Sequence, residues 1–152
     1  MTDTRAWSAD SDPAEIIATL DLQPHPEGGW YRETWRAAAP EGSARSAGTA
    51  ILFLLEAHQR SHWHRVDADE LWLWHGGAAL NLLMAADERQ EAAVFGLGLN
   101  PDGGYWPQRL VPAGYWQAAE PVGGWVLVSC TVTPGFDFAG FELAAPVWAP
   151  GR

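Results

Sequence analysis

The chain is poor in cysteine, in basic residues, in helical periodicity and in long apolar runs. Its one cysteine, Cys130, excludes an internal disulfide. Cys130 lies in Trp125-Val-Leu-Val-Ser-Cys-Thr-Val132, which reads as a strand, so a small buried thiol is expected there rather than a nucleophile. Only 9 Lys and Arg stand against 19 Asp and Glu, a formal net charge of −10. Nucleic acid and anionic membrane surfaces both demand a basic face, so neither is expected as a partner. No apolar run is long enough to span a bilayer. Residues Met1 to Trp7 lack a basic segment followed by an apolar core, so no secretory signal is read and a cytoplasmic setting is expected.

What the chain does have points to strands. Its 152 residues suit one domain, and 47% of them are hydrophobic, enough for one core. The 16 glycines and 11 prolines fall in small clusters all along the chain, as turns between short strands would require. Residues 1–11 read as a loose tail, and 12–152 as the single domain. Asp12-Pro13-Ala14-Glu15 gives a helix start, with Ile16, Ile17 and Leu20 as its apolar face, ending before Pro24. Strands are expected at 30–35, 47–55, 71–74, 78–84, 92–97, 108–111 and 125–132. Turns are expected at Gly76-Gly77, 100–104, 112–114, Gly123-Gly124 and Pro134-Gly135. The fold class is all-β, a sandwich or closed barrel with a short N-terminal helix. The 10 tryptophans suit a barrel interior, a pocket wall or a subunit contact, and a homodimer is expected.

The histidines carry most of the chemical information. Three of the 5 fall between positions 58 and 64, and His75 follows. On a strand, His62 and His64 share one face. Glu70 comes after the turn-like Asp67-Ala-Asp69, so an adjacent antiparallel strand can bring it beside them. Two histidines and a carboxylate on a rigid sheet form a facial metal site or, without metal, an acid–base pair; in a third reading His62 faces outward on a distorted strand end and His64 only hydrogen-bonds Glu70, and all three stay open at this point. The segment Pro24-His25-Pro26-Glu27-Gly28-Gly29 imposes a fixed, irregular backbone. In the strand after it, Tyr31 and Glu33 share one face, with Arg32 and Thr34 on the other. Around the tight turn Pro112-Ala-Gly114, either Tyr115 or Trp116 enters the pocket, and Gln117 follows. In Thr133-Pro-Gly-Phe-Asp-Phe138 the two phenylalanines share a face, and packing at a barrel end is the plainer reading.

These segments together resemble one family. Leu22-x-Pro24-His-Pro-Glu-Gly-Gly-x-Tyr-Arg-Glu-Thr34 looks like its opening signature, and Ser61-x-Trp-His64-Arg65-Val-x-x-Asp69-Glu70-x-Trp72 like its middle one. Gln108-x-x-Val-Pro112-x-Gly114-x-Trp116 and Val132-x-Pro134-Gly135-Phe-Asp-Phe138 look like the closing pair. The family is cupin-5 (DUF985), of the cupin superfamily. The resemblance implies a double-stranded β-helix, or jelly-roll barrel, usually dimeric. It also implies likeness in fold to deoxysugar-nucleotide epimerases and seed storage proteins, and names no reaction.

The general cupin metal motifs fit this chain in part. His62-x-His64 and Glu70 followed by Gly77 match the first motif, but the gap before Glu70 is longer and Glu56 stands at the leading glycine. Pro112-x-Gly114 matches the second, but Gln117 replaces the ligand histidine and Pro121 the asparagine. Amide oxygen is a poorer transition-metal ligand than imidazole, so no cofactor is expected to be required. A divalent-metal site of His62, His64 and Glu70, with Gln117 as a weak fourth ligand, stays as the alternative.

The functional expectation is a small polar or sugar-like ligand held in the barrel and turned over by an isomerase or epimerase. His64 would be the base, Glu70 its orienter, and Tyr31 or Glu33 the partner acid. Arg65, Trp72, His75, Trp116, Gln117 and Phe136 are the expected ligand contacts. A non-catalytic binding module and a metal-dependent, oxygenase-like enzyme are the alternatives.

Overall fold

The structure is a computed structural model that describes residues 6–152. The first five residues of the expected tail therefore lie outside the described residues.

Helix α1 (Pro13–Leu20) starts where the sequence sets it. The Asp12 carboxylate accepts from the Ala14 N–H, and the helix closes on Asp21 in the left-handed conformation. Its apolar stripe, led by the fully buried Ile16, packs on Trp30, Leu52, Leu54, Trp125 and Leu127. The first strands are β1 (Gln23–Pro24), β2 (Trp30–Arg36), β3 (Thr49–Leu55) and β4 (Ser61–Val66). They continue with β5 (Asp69–Ala85), β6 (Ala93–Leu97), β7 (Tyr105–Trp106), β8 (Gln108–Val111), β9 (Trp116–Thr133) and β10 (Phe141–Leu143).

Two long antiparallel strands organise all the others. β5 has 17 residues and β9 has 18, and they pair along nearly their whole length. At one end β9 pairs with β3, and β5 with β8. At the other end β9 pairs with β4, and β5 with β6. β2 and β1 extend the first sheet, while β10 and β7 extend the second. The result is the expected jelly roll, two sheets sharing a bent pair of strands. Between them lie Phe53, Trp72, Leu80, Leu82, Leu97 and Val128.

The glycine pairs expected to reverse the chain do something else. Gly76-Gly77 and Gly123-Gly124 sit inside β5 and β9, where the register slips between Trp74 and Gly76 and again between Gly77 and Ala79. A bulge bends a strand without ending it, so the segments expected as separate strands are continuous. Gly77 has φ +87°, and a Cβ there would overlap the Trp125 carbonyl oxygen. Gly123 has φ +80° but faces open space.

Substitution at these two glycines should separate steric overlap from backbone strain. Gly77→Ala is expected to cost about 3 kcal/mol, and Gly123→Ala about 1–2 kcal/mol, in chemical denaturation. Equal costs would mean that the close approach to Trp125 does not set the bend.

Candidate functional site

At one end of the barrel is a cavity of about 150 Å³. That is close to the volume that admits benzene in an engineered core cavity. Its apolar walls are Ile51, Val66, Val132, Phe136, Phe138 and Phe141. Its polar lining is His25, Glu27, Tyr31, Glu33, Arg36, His64 and Glu70.

His64 is reached by a break in alternation. β4 carries a bulge between Ser61 and His64, so Trp63 and His64 are both buried although they are neighbours. The same break turns His62 away from the cavity, where its Nε2 meets the Ala145 carbonyl at 2.8 Å. His62 and His64 therefore do not share a face, which corrects the expectation drawn from their spacing.

The ion-pair partner of His64 is Glu27, not Glu70. His64 Nε2 stands 3.0 Å from Glu27 Oε2, and Nδ1 donates to the His62 carbonyl at 2.7 Å. One nitrogen faces a carbonyl and the other a carboxylate, so both carry hydrogen and the ring is an imidazolium. Burial opposes that charge. The Glu27 charge and hydrogen bond, with the Glu70 charge, outweigh it and raise the His64 pKa to about 9. Burial likewise pushes Glu27 up, but the His64 charge and hydrogen bond hold it below its usual value. Glu27 is delivered by the irregular Pro24–Gly29 segment. There Gly28, at φ +109°, lies so close to the Arg60 carbonyl that a Cβ would overlap it, and the Glu27 carbonyl accepts from the His62 N–H at 2.7 Å.

Glu70 sits beside this pair and, among the described residues, has no ion-pair partner of its own. Gln117 donates to its Oε1 at 2.8 Å. Burial raises its pKa to about 7; the His64 charge opposes this and the Glu27 charge adds to it. Cys130 is buried and free, as expected, and burial with the nearby Glu70 charge pushes its thiol well above its usual value. His25 meets Tyr31 edge-on, and its Nδ1 accepts from the Glu27 N–H at 3.1 Å, so Nε2 carries the hydrogen. Burial holds its pKa below the usual value, and it is neutral.

Of the other expected site residues, Tyr31, Glu33 and Phe136 line the cavity. The remainder do not. Trp72 is fully buried one layer deeper, donating to Gln117 Oε1 at 3.0 Å, so Trp72 and Gln117 support Glu70 from behind and touch no ligand space. Trp116 packs on Trp148 and Trp63 behind the second sheet, and Arg65 lies over its ring and pairs with Glu142 outside. Tyr115 does not line the cavity either. His75 is on the surface, bonded to Ser129. Three polar cavity residues were not expected: His25, Glu27 and Arg36. The first two lie in the Pro-Gly segment whose fixed backbone was recognised but whose side chains were not. Arg36 joins the Glu33 face because β2 slips register between Glu33 and Trp35.

Fold and site together define a cupin-type barrel whose polar pocket is built on a buried imidazolium–carboxylate pair. The sequence profile described as Cupin superfamily (DUF985) matches residues 14–144, and the chain belongs to that family. It is similar to a structural-genomics protein of Shewanella oneidensis, with 37% identity, TM-score 0.83, and 89% of this chain and 85% of that one covered. It is similar also to a hypothetical protein of Leishmania major, with 34% identity, TM-score 0.80, and 89% and 88% covered. Bacillus subtilis oxalate decarboxylase shares the fold at 12% identity and TM-score 0.60, over 82% of this chain and 31% of that one. No curated protein matches the chain.

That decarboxylase has Mn(II) centres, so the donor set here must be tested against a divalent ion. It does not fit. His62 faces outward, both His64 nitrogens are committed donors, and Gln117 is engaged with Trp72 and Glu70. Among the described residues no group of three or more His, Cys, Asp or Glu is placed to hold a metal. The expected ligand set of His62, His64, Glu70 and Gln117 is not brought together.

The two buried titrations give a signed pH prediction. Glu70 binds its proton more tightly folded than unfolded, so stability falls as pH rises from its unfolded value of 4.5 to about 7. The His64 stabilisation is complete below its unfolded value of 6.5 and is lost as pH rises through about 9. Glu70→Gln should remove the first decline and stabilise the protein at mildly alkaline pH by up to about 3 kcal/mol. Glu27→Gln should remove the second, lower the His64 pKa in an NMR titration, and cost about 3 kcal/mol at neutral pH. Unchanged pH profiles in both variants would overturn this charge assignment.

Proposed function

We propose that the protein is an acid–base enzyme of isomerase or epimerase type, acting on a small polar ligand, with Glu70 as the group that moves the proton. The observation that carries this reading is the arrangement at the inner end of the cavity. A fixed His64–Glu27 ion pair stands beside a carboxyl group whose pKa, about 7, suits proton transfer at neutral pH. The roles expected of His64 and Glu70 are exchanged. His64 already holds both its protons, so it has no lone pair with which to act as base.

In the forward step, the Glu70 carboxylate takes a proton from a carbon next to a carbonyl. The C–H electron pair forms a C=C bond while the C=O π pair moves onto the oxygen, giving an enolate. The imidazolium stabilises this charge through its field, and the His25 Nε2–H or the Tyr31 hydroxyl donates to the oxygen. With an α-hydroxy carbonyl ligand, the hydroxyl hydrogen of the enediolate passes to the neighbouring oxygen and Glu70 returns its proton to the former carbonyl carbon, so the isomer leaves and Glu70 is again a carboxylate. No step requires a cofactor.

Two further features belong to this reading. No described helix is long and apolar enough to cross a membrane, and a cytoplasmic setting suits the free, buried Cys130. A homodimer is supported by the exposed Val94, Leu99, Trp106 and Leu110 on or beside the adjoining β6, β7 and β8. Light scattering tests it, and a monomeric mass would overturn it.

The chemistry is tested in heavy water with a panel of small carbonyl compounds, followed by NMR. Deuterium should enter at the carbon beside the carbonyl, at a rate that rises with pH to a plateau above about 7. Glu70→Gln should slow it by about a hundredfold or more. Saturable binding without exchange for every compound would make the protein a binding module.

A further inference from the structure

The cavity has a charge gradient that bears on its ligand. Its inner end holds two carboxylates, Glu27 and Glu70, around one imidazolium. An anionic group would be repelled there. Its more exposed part holds Arg36, one of 9 basic residues in a chain with 19 acidic ones, balanced by Glu33 beside it. Between the ends the wall is apolar, with Phe136, Phe138 and Phe141 packed edge to face.

The guanidinium of Arg36 is held in place yet keeps donors to spare. Its Nε and Nη2 donate to the two Glu33 oxygens at 3.2 and 2.6 Å, and Nη2 also donates to the Phe136 carbonyl at 3.0 Å. Among the described residues Nη1 takes no partner. A second arginine, Arg45, is committed differently, with both terminal nitrogens on Asp67 and Nε on the Gly135 carbonyl. Arg36, a residue of the cavity lining, is thus oriented by its neighbours and keeps one terminal nitrogen without a partner among the described residues.

We infer that the ligand is a small carboxylic acid whose carboxylate pairs with Arg36, leaving its reacting carbon at Glu70. The inference rests on the acid–base reading above and adds the substrate class and its direction in the pocket. Arg36 acts as a specificity determinant, and Glu33 competes with the ligand for it.

Benzoate and benzamide test this, because they match in shape, differ in charge and suit a cavity of about 150 Å³. Binding of each is measured by calorimetry at neutral pH and low salt. Wild type should prefer benzoate by about fivefold, the scale of a solvent-exposed ion pair. Arg36→Gln should abolish the preference. Glu33→Gln, which removes the competing carboxylate, should widen it. Both side chains are more than a third exposed, so both variants retain the fold. Equal affinities in wild type, no saturable benzoate binding, or a shift in the same direction in both variants would overturn the inference. Absence of the preference with Glu70-dependent exchange intact would sink the anion assignment alone. The preference without any exchange would sink the acid–base reading alone.

Discussion

The buried pair of His64 and Glu27 is the constraint on which the site depends. Two full charges taken from water cost several kcal/mol each, and only close pairing with further hydrogen bonds makes up for it. The chain supplies those bonds locally. The His62 carbonyl accepts the second imidazole proton, and the Glu27 main chain is stitched to β4 through the His62 N–H. Once the pair is fixed, the state of Glu70 follows. A further carboxylate in the same dry space is held towards neutrality by burial and by Glu27, and is kept ionisable by His64.

This explains why the apparent metal motif holds no metal set. An imidazole that ligates a metal needs a free lone pair, and here a carboxylate has taken that position. Gln117, standing where a ligand histidine would be, hydrogen-bonds Glu70 and Trp72 instead. The cupin scaffold is retained, and two of its ligand positions, His64 and Glu70, stand beside Glu27 in a cluster of titratable groups.

Irregularities in the strands decide which side chains reach the cavity. The β4 bulge brings in His64 and turns out His62, and the β2 bulge brings in Arg36. The glycine bulges of β5 and β9 let two strands serve both sheets, so that β2, β4 and β5 all contribute to one cavity. Each irregularity shifts the period-two pattern by one residue, which exchanges inside for outside beyond it.

Legible from the residues alone were the all-β class, the capped helix at Asp12, the buried thiol of Cys130 and the presence of Glu70, Tyr31, Glu33 and Phe136 near His64. Composition, capping chemistry and alternation are local, and local rules read them correctly. It took long-range packing to make Glu27 the partner of His64, to set Trp72 and Gln117 behind the site, and to turn Trp116 and Arg65 away from it. Those outcomes turn on bulges and on an irregular segment packed against a distant strand. A bulge appears in the sequence as no more than an ordinary residue, and its position is set by the pairing of strands far apart in the chain.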